Sequence, residues 1–406
     1  MSTFKLLTLI GASCLIGVFP IASAHAQATV KLTTEPSLAQ ISPYEAEATT
    51  TEQPISLKLQ AIDPQGQPLK ATKIAVKILN PPSNPWFPTD FPIVEGTQLL
   101  ELTAPAPDGK IQFEQMLPIR GNYQVLVNVT PTDPKIAPYQ QTLTIPVPES
   151  GIKYQNFAIL AGILLAVGAA GGWIIGSRKP TQPGEIAPST VRLLLSGATV
   201  FAIASLLYVN VSAEIAQSGM SEAMSHAGKG GAMSGMNHAG MSGMNHGGEE
   251  KPLETQPIVT QDGVKVLLSG DADSTVGKLA QLRLQVTDAQ TNQPLATTVK
   301  IKAIATEGEW TSFSHQGVTD RQGQLNWQSG FFDGVPHLVD VTISPIAGGG
   351  KQFTPIKVTK QVNVEGVAPP LMTRLVVLGY LTGIVGAAFL AAFLLRQKQL
   401  NLASAG

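Results

Sequence analysis

Two stretches of the chain repeat one pattern: residues 57–69 read LKLQAIDPQGQPL, and residues 282–295 read LRLQVTDAQTNQPL. In both, apolar and polar residues alternate before a turn that contains Asp and Pro. Successive side chains of an extended chain point to opposite faces, so the alternation indicates a half-buried strand. Asp and Pro favour reversal of the chain after it. We therefore expect a strand followed by a turn at both places.

The similarity continues beyond these stretches. The strand that begins at Ile74 matches the one at Val299, and the turn at Gly109 matches the turn at Gly323. Residues 123–131 line up with residues 337–345. Many short alternating segments between turns, without a helical period, favour an antiparallel β-sandwich of the immunoglobulin class. We predict a mainly β chain with membrane helices, in which residues 27–150 and 252–366 form two duplicated sandwiches.

The two copies differ most between residues 80 and 103. The first copy has additional residues there, including five prolines: Pro81, Pro82, Pro85, Pro88 and Pro92. Proline restricts the backbone, so such a loop could form a rigid recognition surface. An ordinary surface loop is equally consistent with the sequence.

Apolar segments account for the low charged fraction of 14%. The N-terminal one follows Lys5 and ends in small residues, the pattern of a signal peptide over residues 1–26. Three more are long enough to cross the hydrocarbon of a bilayer as helices. We place membrane helices at residues 155–177, 193–213 and 372–395.

The charges beside these helices predict their orientation. Arg178, Lys179 and Arg192 flank the first two, and Arg396 and Lys398 follow the third. Lys and Arg accumulate on the cytoplasmic side. The loop at 178–192 and the tail at 396–406 are therefore expected in the cytoplasm, with both sandwiches outside. This topology predicts a multi-pass protein of the plasma (inner) membrane.

Composition also excludes several functions. The formal net charge is −1, with no block of basic residues, which argues against nucleic acid as a partner. The single cysteine, Cys14, lies in the predicted signal peptide, so no thiol chemistry is expected in the mature chain. No nucleophile elbow, metalloprotease motif or dinucleotide fingerprint is present. We predict that the protein is not an enzyme.

Residues 217–251 carry the most distinctive chemistry. This tract has no Val, Ile, Leu or aromatic residue, so it cannot form a core and is predicted to be disordered. Nevertheless it holds six of the nine methionines and three of the six histidines, arranged as a repeated M-x-H unit. The predicted metal ligands are Met220, Met224, His226, Met233, Met236, His238, Met241, Met244 and His246.

The ligand types point to copper. Residues i and i+2 of an extended chain lie on one side, so each unit can present a thioether and an imidazole together. Thioether sulfur favours Cu(I), and imidazole accepts Cu(I) or Cu(II). Silver, nickel and zinc are competing ions, and a flexible tether without metal is the alternative interpretation. The shortage of carboxylates argues against calcium and magnesium.

Two resemblances support this prediction. Residues 233–246, MSGMNHAGMSGMNH, resemble the Met/His-rich tracts of bacterial periplasmic copper-resistance proteins, which implies copper binding. The sandwiches, with the D-x-x-x-x-x-P-L turn at residues 288–295 and the motif Gly334-Val335-Pro336-His337, resemble the FixH/YtkA-like group of membrane-anchored immunoglobulin-like domains. This resemblance implies a role in copper handling or in oxidase assembly.

Other residues leave alternatives open. His315 and His337 are interpreted as structural residues, although together they could form a second copper site. Gly168, Gly172 and Gly176, with Gly379 and Gly383, have the spacing that permits close helix packing. The predicted function is extracytoplasmic copper storage, detoxification or delivery. The alternative is a metal-independent adaptor whose paired sandwiches dock on an envelope protein or an oxidase-type complex.

Overall fold

The structure is a computed structural model of the chain. The residues that it describes are 28–45, 53–70, 72–176, 191, 197, 257–306, 309–348 and 351–403. The predicted signal peptide, the Met/His tract and, apart from Gly197, the predicted span at 193–213 lie outside these residues. The predicted membrane helix at 193–213 and the signal peptide therefore stay predictions.

Sandwich 1 consists of seven strands in the described residues. They are β1 (Thr29–Glu35), β2 (Ile55–Ile62), β3 (Thr72–Leu79), β4 (Gln98–Ala106), β5 (Lys110–Gln115), β6 (Gly121–Pro131) and β7 (Tyr139–Val147). Burial alternates along them, and in β2 the side chains of Ile55, Leu57, Leu59 and Ala61 face the core. The period-two pattern of the sequence is thus confirmed as a half-buried strand.

Sandwich 2 repeats this arrangement with two additional short strands. Its strands are β8 (Ile258–Gln261), β9 (Val264–Gly270), β10 (Asp273–Thr275), β11 (Leu279–Asp288), β12 (Thr298–Ala305), β13 (Thr311–Val318), β14 (Gln324–Gly330), β15 (His337–Ser344) and β16 (Ile356–Glu365). Strand β9 takes the place of β1, and β11 to β16 take the places of β2 to β7. The duplication that the sequence predicts is therefore visible strand by strand.

The matched turns use glycine for the same reason in both copies. Gly109 has φ +74° and Gly323 has φ +67°, the left-handed region that glycine tolerates best. A Cβ on Gly109 would collide with the backbone of Leu69, and one on Gly323 with the backbone of Val286 and Leu295. These close approaches bring the turn before β5 against the β2–β3 connection, and the turn before β14 against β11 and the β11–β12 connection.

The two sandwiches share both of their sheets. One sheet has the order β1-β2-β5-β13-β12-β15-β16-β10, and the other has the order β7-β6-β3-β4-β14-β11-β9-β8. The junctions are the antiparallel pairs β5–β13 and β4–β14. The sequence predicts two sandwiches, and the structure joins them edge to edge into one two-layered body.

The two junctions are equivalent under the duplication. Strand β5 corresponds to β14, and β13 corresponds to β4, so each junction is the same pairing with the copies exchanged. Phe113 lies opposite His315, and Trp327 lies opposite Leu102. This arrangement is the intramolecular counterpart of a two-fold interface. It also removes four sheet edges that would otherwise expose unpaired backbone groups.

Each sandwich continues into an apolar helix. Helix α1 (Gly151–Gly176) follows β7, and helix α2 (Leu371–Ala403) follows β16. Both are long and apolar enough to cross a membrane, and they are the only two such helices in the described part of the chain. Helix α2 extends into the predicted tail at 396–406, because residues 396–403 include good helix formers and no Gly or Pro.

The helices pack through glycines of α1. A Cβ on Gly168 would lie 2.9 Å from Cβ of Ala388, and a Cβ on Gly172 would lie 3.0 Å from the backbone nitrogen of Phe393. These contacts advance in the same direction along both helices, so α1 and α2 are parallel. By contrast, Gly379 of α2 has no neighbour within 4 Å of such a Cβ, and the same holds for Gly383. The close contact therefore uses the glycine spacing of α1 and not that of α2.

Candidate functional site

The nine predicted copper ligands lie between residues 217 and 251 and are outside the described residues. The fold does show where the chain emerges from that tract. The carbonyl of Pro257 accepts a hydrogen bond from the backbone N–H of Leu268 at 2.7 Å, and β8 begins at the next residue. The tract is thus joined to the outermost strand of one sheet.

The direction of β8 indicates from which side the chain enters. The turn after β8 lies beside the start of β16, because the backbone N–H of Thr354 donates to Asp262 at 2.8 Å. Strand β16 then runs from this turn to Glu365, a few residues before α2 begins. Pro257 consequently lies on the helix side of the β8–β9 turn, where the described residues resume after the tract.

His315 lies at the junction of the two sandwiches. It is a residue of β13 and is 1% exposed, and its Nδ1 lies 2.8 Å from the carbonyl of Gln112 in β5. A carbonyl only accepts hydrogen bonds, so Nδ1 carries the proton and donates. Burial lowers the pKa of His315 to about 4, and the bond to Gln112 offsets only part of that effect. The imidazole is therefore neutral at pH 7.

His337 begins strand β15 and is fully buried. Its Nδ1 donates to the carbonyl of Val335 at 3.0 Å, and its Nε2 lies 3.6 Å from a carboxylate oxygen of Asp333. Burial lowers the pKa of His337 to about 4, with a smaller opposing effect of the bond to Val335. Its ring also contacts Phe331, with ring centroids 4.3 Å apart.

These two histidines do not form a joint metal site. In the register of β12, His315 lies opposite Ile301 and His337 lies opposite Ala305. The two histidines are therefore separated by two interstrand spacings across the sheet and by four residues along the strand direction. Together these distances place their Cα atoms roughly 16 Å apart. An ion bound by both residues would need an imidazole nitrogen of each within about 2.1 Å. Two histidine side chains whose Cα atoms are this far apart cannot both reach one ion. Among the described residues, no group of three or more His, Cys, Asp or Glu residues could hold a metal.

An aromatic cluster fills the junction next to His337. Tyr44 and Phe91 come from the sandwich 1 half, and Trp310 and Phe332 come from sandwich 2. The ring centroids of Tyr44 and Trp310 are 4.8 Å apart, and those of Phe91 and Phe332 are 5.2 Å apart. Such pairs contribute about 0.5–1.5 kcal/mol each beyond area burial. The cluster thus fixes one sandwich against the other.

Sequence reasoning missed this cluster. Its members lie mainly in loops, where the period-two pattern gives no information about burial. The available signal was the concentration of aromatic residues at Trp310, Phe331 and Phe332, which have no aromatic counterparts in the first copy.

A cluster of charged side chains lies where α1 begins. Lys153 of α1 pairs with Asp90 of the proline-rich loop, and also with Glu45 at 3.6 Å and Glu149 at 4.0 Å. Arg120 pairs with Glu149 as well. The charges lock the base of sandwich 1, the loop and the start of α1 together.

Comparison with known proteins gives fold-level likeness only. No protein family and no curated protein matches the chain. Invasin, a bacterial integrin-binding protein, is 9% identical with a TM-score of 0.19, over 83% of this chain and 39% of that one. Salmonella alpha-2-macroglobulin reacted with methylamine is 10% identical with a TM-score of 0.20, over 85% of this chain and 17% of that one.

The Yersinia pseudotuberculosis adhesin InvE is 10% identical with a TM-score of 0.17, over 84% of this chain and 61% of that one. The chain spans less than two thirds of each of these three proteins. At such TM-scores the likeness carries no argument about function. The resemblance to FixH/YtkA-like and copper-resistance proteins therefore stays an expectation from the sequence.

Proposed function

We propose that this protein is a membrane-anchored, extracytoplasmic copper-binding protein that stores, detoxifies or delivers copper. The observation that carries the proposal is the repeated M-x-H unit at residues 224–226, 236–238 and 244–246. Thioether sulfur is a soft donor that selects Cu(I), and the neighbouring imidazoles can hold either oxidation state. A simple tether would need neither type of side chain.

The packing of the helices supports the topology that this function requires. Helices α1 and α2 are parallel, and each follows its own sandwich. If both cross a bilayer in one direction, the chain between Gly176 and Pro257 must cross back an odd number of times. Within that interval, residues 193–213 are the apolar segment of sufficient length. The tract at 217–251 then lies on the same side as the sandwiches.

The attachment of the tract favours a position close to the membrane. One end follows the predicted second membrane helix directly, and the other enters sandwich 2 from the helix side at Pro257. Copper held there would lie between the bilayer surface and a rigid pair of joined sandwiches. A partner that docks on the sandwiches would have access to the same copper.

Metal binding by the full-length protein in detergent tests the proposal. We expect the protein to bind Cu(I) and Ag(I) with much higher affinity than Zn(II), because a thioether adds affinity only for soft ions. Replacing the six methionines of the tract by leucine should abolish most Cu(I) binding. The matched control is Met116→Leu, since Met116 is a buried core residue outside the tract.

Replacing His226, His238 and His246 by asparagine should instead weaken Cu(II) more than Cu(I). Equal and weak binding of every ion would contradict the proposal. That result would favour the alternative function, a metal-independent adaptor that docks on an envelope protein complex.

A further inference from the structure

The loop between β3 and β4 exposes two adjacent aromatic side chains. Trp86 is 67% exposed and Phe87 is 62% exposed. The loop covers residues 80–97, whereas the corresponding connection between β12 and β13 covers only residues 306–310. Burial of large apolar side chains is favourable, so two neighbours left exposed on a loop tip point to an environment other than water.

The loop tip lies against helix α2. The hydroxyl of Tyr380 donates to the carbonyl of Trp86 at 2.7 Å, and the rings of Phe87 and Tyr380 are stacked with centroids 6.3 Å apart. Tyr380 lies six residues beyond Arg374, or about 9 Å further along the helix axis. The apolar stretch of α2 begins directly after Arg374. The aromatic tip is therefore level with the first turns of that stretch.

Polar contacts hold the loop in this position from the side of α1. Arg120 donates to the carbonyls of Phe87 at 3.1 Å and Pro88 at 3.2 Å, while it also pairs with Glu149 just before α1. Lys153 in the first turn of α1 pairs with Asp90 of the loop. The charged groups lie near the starts of the helices, and the two aromatic side chains lie beyond them along α2.

We propose that Trp86 and Phe87 insert into the outer leaflet of the membrane, at the boundary between headgroups and acyl chains. Trp and other aromatic side chains favour this boundary, where the ring is apolar and its surroundings are partly wet. The partner is the lipid bilayer itself, because the loop tip is continuous with the apolar surface of α2. The loop thereby sets the height and tilt of the joined sandwiches above the membrane.

The inference rests on α1 and α2 crossing the membrane, and it does not depend on copper. Tryptophan fluorescence of the full-length protein in lipid vesicles tests it. The four tryptophans are Trp86, Trp173 in α1, and Trp310 and Trp327, which are 6% and 2% exposed in sandwich 2. In a Trp173→Phe variant, Trp86 is the tryptophan that vesicle lipids can reach.

We expect lipids spin-labelled near the headgroup to quench the Trp173→Phe variant, and aqueous iodide to leave it largely unquenched. Adding Trp86→Phe should remove the lipid quenching, with Trp310 and Trp327 as internal references. Quenching by iodide instead of by lipid would place the tip in water and overturn the proposal. Protection from both quenchers would mean that protein covers the tip, which also overturns it.

The membrane premise has its own readout. Lipids labelled along the acyl chain should quench Trp173, in the last turn of α1, in the Trp86→Phe variant. If they do not, α1 is outside the bilayer and the inference fails at its premise, regardless of the result for Trp86.

Discussion

Sandwich 1 and sandwich 2 share a strand order but differ at two matched core positions. Leu102 in sandwich 1 corresponds to His315 in sandwich 2, because each lies opposite the equivalent aromatic residue of the adjoining sandwich. Tyr123, at the start of β6, corresponds to His337, at the start of β15. The duplication has thus kept the fold and placed two titratable imidazoles in only one of the two cores.

The second pair shows how one position is satisfied in two ways. The hydroxyl of Tyr123 donates to the carbonyl of Ile119 at 2.8 Å and accepts from its N–H at 2.9 Å. This contact is the tyrosine corner of immunoglobulin-like sandwiches, and burial raises the pKa of Tyr123. At the matched position, four residues before His337, the carboxylate of Asp333 faces the imidazole. Only sandwich 2 therefore gains a proton-sensitive group there.

The largest expected effect comes from breaking the junction that the copies share. Phe332→Ala removes a buried ring from the aromatic cluster and should lower the free energy of unfolding by about 3–5 kcal/mol. Because the sheets are continuous, amide exchange should accelerate in β6 of sandwich 1 as well as in β15. Hydrogen exchange read by mass spectrometry measures both.

The control for this variant is Leu38→Ala, an exposed substitution expected to change stability by less than about 0.5 kcal/mol. Acceleration confined to β15 would show that the sandwiches unfold independently, contrary to the joined body described above.

The second largest effect is a loss of stability on acidification, which we expect to come from the two histidines of sandwich 2. The pKa of His315 and of His337 is about 4 in the folded protein, against about 6.5 in the unfolded chain. The unfolded chain therefore takes up protons first as the pH falls. Relative to low pH, the neutral histidines favour the folded state fully above about pH 6.5. This contribution to the free energy of unfolding is lost as the pH falls from about 6.5 to about 4. At pH 5 the loss should be roughly 2 kcal/mol for each histidine.

A variant that copies sandwich 1, His315→Leu with His337→Tyr, isolates this contribution. Urea unfolding of the full chain at pH 7 and pH 5 should show a smaller difference for the variant than for the wild type. Each single variant should remove about half of the difference. An unchanged pH dependence in the double variant would mean that other groups carry it.

The smallest of these effects concerns sandwich 1 alone. Tyr123→Phe leaves the N–H and carbonyl of Ile119 buried without the hydroxyl, which should destabilise by about 1–2 kcal/mol. Tyr139→Phe is the matched control, because its hydroxyl donates to the carbonyl of Thr29 in a more exposed place. Equal effects of both variants in urea unfolding would remove the special role of the tyrosine corner.

The strands of each sandwich were predictable from the sequence. Alternation at Leu57 and Leu59, and the glycine turns at Gly109 and Gly323, reflect local geometry that single residues determine. The repeat then doubled the evidence for each strand. The apolar stretches that follow each copy likewise identified α1 and α2.

The joining of the sandwiches could not be predicted in this way. Pairing between β5 and β13 uses backbone groups, which are the same for every residue type, so an edge strand and a paired strand show similar alternation. The one side chain in this strand that reflects the junction is Gln115. It is a buried polar residue whose amide donates to the carbonyl of Ser312 across the junction at 3.1 Å. The docking of the proline-rich loop depends on Tyr380, nearly 300 residues away, and leaves no local signal.

The proposed function depends on the segment between the two sandwiches holding copper through methionine sulfur. X-ray absorption spectroscopy of the full-length protein loaded with Cu(I) identifies the ligand atoms. We expect sulfur atoms among the copper ligands of the wild type and of Met116→Leu, and their loss when the six methionines of the tract become leucine. A spectrum with only nitrogen and oxygen ligands, unchanged by that replacement, would contradict the claim.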